Sequence, residues 1–121
     1  MLNSRAVVVA TVIGTVLQTA MVVAGHTNAS IAAQFAVGGM GISLVAGLLY
    51  AKFAGPSSTG DNVKGGAIAG GLCALIGICI SFVLGDVTAM ILTLGTLSSA
   101  VTGALGGFIG GFVFRRAAVS A

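Results

Sequence analysis

Four stretches of this chain, residues 6–25, 30–51, 65–85 and 87–114, contain no charged side chain. A helix rising 1.5 Å per residue needs ~20 mostly apolar residues to cross ~30 Å of hydrocarbon, and each stretch meets that length. In water such segments would need a polar covering. Only 6% of the 121 residues are charged, against roughly 25% in an ordinary soluble domain. Membrane barrel strands alternate apolar and polar positions over ~10 residues, whereas these runs are apolar on every face. The sequence therefore predicts an all-α fold, a single transmembrane domain over 1–121 forming a four-helix bundle in the lipid bilayer. Two helical hairpins are joined by a loop at 52–64, where Gly55, Pro56, Gly60, Asp61 and Asn62 supply turn chemistry. The fourth run is the longest and implies tilt or an end projecting into the headgroups.

The basic residues set the expected orientation. Arg5, Lys52, Lys64, Arg115 and Arg116 all fall on the side shared by the two termini and the central loop. The opposite side holds only His26 and Asp86. Short loops rich in Lys and Arg stay in the cytoplasm, so both termini are expected there, in a cell or inner membrane. The split also argues against dual insertion. Five scattered basic residues do not form the patch that nucleic-acid binding needs, so no nucleic-acid partner is expected. A secretory signal is the rival reading of the first run, but its apolar stretch exceeds the usual 7–15 residues.

Glycine is the second constraint. The chain has 20, and in soluble helices each would cost ~1 kcal/mol against alanine. Inside lipid, small residues four apart instead let helix backbones approach closely. In the fourth run Ser99, Gly103, Gly107 and Gly111 form one such column, beside a second of Ser98, Thr102, Gly106 and Gly110. The second run carries Gly39, Ser43, Gly47, Ala51 and Gly55, the third Gly66, Gly70 and Ala74, and the first Ala6, Ala10 and Gly14. Glycine-rich close packing is expected from these faces. Two columns on one helix exceed what one contact uses, so a homo-oligomer or a larger membrane complex is expected. Shifting the first half of the chain by about 60 residues matches Gly25 with Gly85 and Gly47 with Gly107, but few other positions agree.

Reactive chemistry is sparse. No carboxylate lies within a span and there is no glutamate, which removes the buried acid on which proton- or sodium-coupled transport depends. His26 and the two distant aspartates form no evident acid–base pair in the sequence, so neither catalytic residues nor an enzyme is expected. His26 reads as an interfacial anchor. Cys73 and Cys79 are six residues apart, about 240° around a helix, and with no nearby ligands they make neither a metal site nor an easy disulfide. No cofactor is implied. Asn28-Ala29-Ser30 matches a glycosylation sequon but sits against the membrane.

One polar stripe stands out. Thr11, Thr15, Gln18 and Thr19 share a helix face, and Gln34 and Ser43 of the second run are placed to meet it. Threonine can bond back to its own helix, but the Gln18 amide needs partners. Hydrogen-bond glue between helices is the plain reading. A polar lining by Thr11, Thr15, Gln18 and Gln34, serving a passive channel or small-solute facilitator, is the sharper one. The leading functional expectation is a structural, accessory or self-assembling membrane subunit without catalytic chemistry. A membrane-perturbing or viral envelope role has the same composition.

Overall fold

Local capping decides where each helix begins. The computed structural model describes residues 2–120, with the side chains of 115–120 outside that description. Helix α1 spans Ser4–His26, and the Asn3 side chain accepts a hydrogen bond from the Ala6 N–H at 3.0 Å. Asn28 accepts from the Ser30 and Ile31 N–H groups and starts a single turn, α2, Ala29–Ala32. Helices α3, Phe35–Ala54, and α4, Thr59–Val83, follow, and α5, Ala89–Ser120, completes the chain. Four helices (α1, α3, α4 and residues Ala89–Phe114 of α5) are long and apolar enough to cross a membrane. The protein is thus an all-helical bundle with the character of a membrane-embedded chain.

Two boundaries differ from those expected. The run beginning at residue 30 is not one helix. The Asn28 cap commits the backbone to α2, Gln34 leaves helical geometry at φ −105°, ψ 10°, and α3 starts at Phe35. The bend seats the Phe35 ring against Gly25, where a Cβ would overlap it. The expected loop at 52–64 is also shorter. The Ser58 hydroxyl accepts from the Asp61 N–H at 3.1 Å, so helix already runs through Asp61, Asn62 and Lys64. A serine followed three residues later by an acid is a helix-start signature, here hidden inside turn-like composition.

Two helix ends are set by glycine. Gly55 (φ 73°) stops α3 and Pro56 follows it. Gly85 (φ 82°) ends α4 with its N–H on the Phe82 carbonyl and the Asp86 N–H on the Ser81 carbonyl, the paired closure of a Schellman motif.

The register follows from contacts between helices. At one end the Asn3 N–H donates to the Tyr50 hydroxyl at 3.1 Å, and the Tyr50 ring lies against Gly65. At the other end His26 Nδ1 stands 2.8 Å from Asp86 Oδ2. Successive long helices therefore run antiparallel, with α1 parallel to α4 and α3 parallel to α5.

The closest approaches are backbone to backbone. A Cβ on Gly47 of α3 would run into the Gly103 carbonyl and reach 2.8 Å from the Gly107 nitrogen. On α4, a Cβ on Gly66 would meet the Gly103 carbonyl, and one on Gly70 would stand 2.7 Å from Gly103 Cα. Gly107 faces the Asn62 carbonyl and Gly111 the Asn62 amide. Gly106 faces the Leu44 carbonyl, and Gly110 lies against Leu48 and Ala51. The Gly103–Gly107 column of α5 thus meets α4 and, through Gly47, α3 as well, while Gly106 and Gly110 of the other column meet α3. Gly39 is different: its nearest neighbour, Gln18 Oε1, would sit at an ordinary 3.6 Å from a Cβ.

Overpacking typically costs about 1–3 kcal/mol, and backbone neighbours cannot move aside as side chains do. Gly107→Val is expected to lower unfolding free energy in detergent by at least that range. Gly41→Ala, where nothing lies within 4 Å, should change it by less than about 0.5 kcal/mol.

Candidate functional site

Five polar side chains of the described residues are buried inside the bundle. Gln18, Ser43, Asn62, Ser81 and Ser99 are all buried, while Val8, Val16, Leu97, Val101 and Leu105 are exposed. Water-soluble folds do the reverse. In hydrocarbon the arrangement is favourable, since only other protein groups can satisfy a hydroxyl or amide.

Gln18 organises the centre. Its Nε2 donates to the Gly39 carbonyl at 3.0 Å and to Ser43 Oγ at 3.4 Å. Ser43 Oγ in turn donates to the Gly70 carbonyl at 3.1 Å, which also accepts from Cys73 Sγ at 3.3 Å. This relay ties α1 to α3 and α3 to α4. Cys73 Sγ would stand only 2.8 Å from a Cβ on Gly14, so the thiol is wedged between α1 and α4.

The other members of the expected stripe go elsewhere. The hydroxyl oxygens of Thr11 and Thr15 are buried without hydrogen-bond partners. They do not bond back to their helix, although Thr93, Thr96 and Thr102 in α5 do. Gln34 is exposed at the start of α3 and makes no capping bond. Of Thr11, Thr15, Gln18 and Gln34, only Gln18 reaches the central cavity.

That cavity, partly open at the surface, has a volume of about 530 Å³ between α1, α3, α4 and α5, in the half of the bundle nearer His26 and Asp86. Its walls are largely apolar, with Met21, Phe35, Met40, Ile78 and Leu94 among them. Gln18, Ser81 and Ser99 supply buried polar groups in the lining. Ser81 Oγ has no hydrogen-bond partner. The glycine contacts between α3 and α5 lie at residues 44–51 and 103–110. The cavity lies beyond them, with exposed Ala36 and Ser98 among its lining residues.

Sequence separation hid one pairing. His26 and Asp86, 60 residues apart, meet at 2.8 Å beside the cavity, with side chains 43% and 25% exposed. The expectation that the histidine pairs with no acid is corrected by the antiparallel folding of both hairpins, which returns the two links to one end. Ser81, Asn62 and Tyr50 were also missed as structural centres. Single polar residues in apolar runs carry no periodic signal, and Asn62 lay in what read as loop. Among the described residues, no group of three His, Cys, Asp or Glu side chains is placed to hold a metal ion. The geometry supports hydrogen bonding and apolar packing. Compared with family models, curated proteins and solved structures, the chain has no match.

Interhelical hydrogen bonds in membranes average about 0.6 kcal/mol. Gln18→Leu removes the two donated by the amide and is expected to destabilise the bundle by roughly 0.6–1.7 kcal/mol in reversible unfolding from lipid or detergent.

Proposed function

We propose that this chain is a non-catalytic subunit of a cell or inner membrane, working by packing against further copies of itself or against a larger membrane complex. The observation that carries this reading is the segregation of side chains: small and polar residues turned inward, long apolar ones outward. On this reading the glycine columns act as a zipper that holds the four helices within one chain. Both columns of α5 are engaged by α3 and α4, so contact with neighbouring chains falls to outward residues such as Leu97, Val101 and Leu105. The chain has no reactive constellation to add, and its contribution is shape. Passive conduction draws less support, because the Gln18 amide is already engaged by Gly39 and Ser43.

Orientation belongs to the same proposal. Arg5, Lys52 and Lys64 stand at the end opposite His26 and Asp86, and the positive-inside rule assigns that end to the cytoplasm. The two hairpins are then joined by a short cytoplasmic loop at residues 55–58.

Native mass spectrometry from mild detergent or nanodiscs is expected to give species heavier than one 11.7 kDa chain, and Val101→Trp is expected to reduce them. A single-chain mass at every protein concentration, with no co-purifying membrane protein, would overturn the assembly reading. Fusion of reporters to the C-terminus should give a fluorescent cytoplasmic reporter and an inactive periplasmic phosphatase. The opposite pair of results would reverse the orientation.

A further inference from the structure

We infer that the cavity between α3 and α5 is a binding site for an uncharged amphiphile, a molecule with an aliphatic body and a hydroxyl or carbonyl head, entering sideways from the bilayer. Its volume of about 530 Å³ lies within the roughly 300–1,000 Å³ of small-molecule sites. The walls fit an aliphatic body, since Met21, Phe35, Met40 and Leu94 offer no hydrogen bonds. Met side chains adapt to irregular apolar shapes.

The head group is specified by what is unpaired. Ser81 is 2% exposed and lines the cavity, yet its Oγ has neither donor nor acceptor among the described residues. A buried hydroxyl left so is costly, and a serine hydroxyl can both give and take a hydrogen bond. Gln18 and Ser99, both buried, share the lining with it. Turning of the buried Ser81 hydroxyl toward the cavity would let a ligand hydroxyl or carbonyl complete this set.

Charge disfavours an anionic head. No lysine or arginine is in the lining, and its one carboxylate, Asp86, is engaged by His26. An anionic head would have no counter-ion and would face that carboxylate. The described basic side chains, Arg5, Lys52 and Lys64, stand at the other end of the bundle.

The path is set by the fold. On the cavity's other sides, neighbouring helices close on each other through Met21 against Gly38, Gln18 against Gly77, and Ile78 against Gly95. Exposed Ala36 of α3 and Ser98 of α5 stand in the lining, and the proposed route is lateral, past them.

The test uses the purified full chain in phosphatidylcholine nanodiscs with a diazirine-bearing dodecanol, its attachment mapped by mass spectrometry. Label is expected on cavity residues, Met21, Phe35, Met40 and Ile78 foremost, and excess unlabelled dodecanol should remove it. Ser81→Ala is expected to weaken competition by about threefold to tenfold, the effect of one hydrogen bond. Ala36→Phe, at an exposed rim position, should block the gap and abolish cavity labelling while the helical circular dichroism is unchanged. Label spread equally over outward residues such as Val8, Val101 and Leu105, or label that unlabelled dodecanol does not displace, would overturn the site. A stronger signal from the matching diazirine-bearing dodecanoic acid at neutral pH would overturn the assignment to an uncharged head. Parent-like behaviour of both variants would overturn the assignment to this cavity.

Discussion

Everything in this bundle depends on how near α5 can come to α3 and α4. Hydrocarbon offers no hydrophobic drive to gather helices, so dispersion and backbone polar contacts must do it. Those forces decay steeply with distance. At Gly47, Gly66, Gly103 and Gly107 the missing Cβ atoms let carbonyl oxygens and α-carbons of neighbouring helices touch. Any side chain at these positions would hold the helices apart and weaken many small attractions together. The glycine content, a liability in water, is here the means of cohesion.

Close approach also explains where the polar atoms go. Once α1, α3 and α4 are drawn together, the Gln18 amide reaches the Gly39 carbonyl and Ser43, and Ser43 reaches the Gly70 carbonyl. These bonds are individually modest in a membrane. Their effect is directional: they fix which faces meet, where apolar contacts alone would tolerate rotation. The buried Tyr50 hydroxyl serves in the same way at the opposite end, where it accepts from the Asn3 N–H beside the first helix cap. Polar pairing at both levels and glycine contact between them give one register.

The long helices were legible because uncharged runs of that length have few other folds. Their ends were less so. Asn28 read as part of a sequon rather than as the cap of a separate turn, and Ser58 was lost among turn-forming neighbours. The packing residues on α5 could be named from four-residue spacing, but not which neighbour each column would face. In the candidate site, Gln18 was legible as an amide in an apolar run with unmet hydrogen bonds. Ser81 was not, because a serine surrounded by Ile80 and Phe82 carries no signal until the cavity is seen. His26 with Asp86 needed the complete topology, since no local pattern joins residues in different hairpins.

The position of the α3–α5 glycine contacts has a mechanical meaning. They press the helices together on one side of the cavity, like tongs gripped near the hinge. From Gly103 to Ile91 the arm is about 18 Å at 1.5 Å per residue, so about 5° of rotation at the crossing displaces its tip by roughly 1.6 Å. The calibre of the void is therefore geared to the crossing angle, and bilayer thickness, by tilting the arms, becomes a dial on its width.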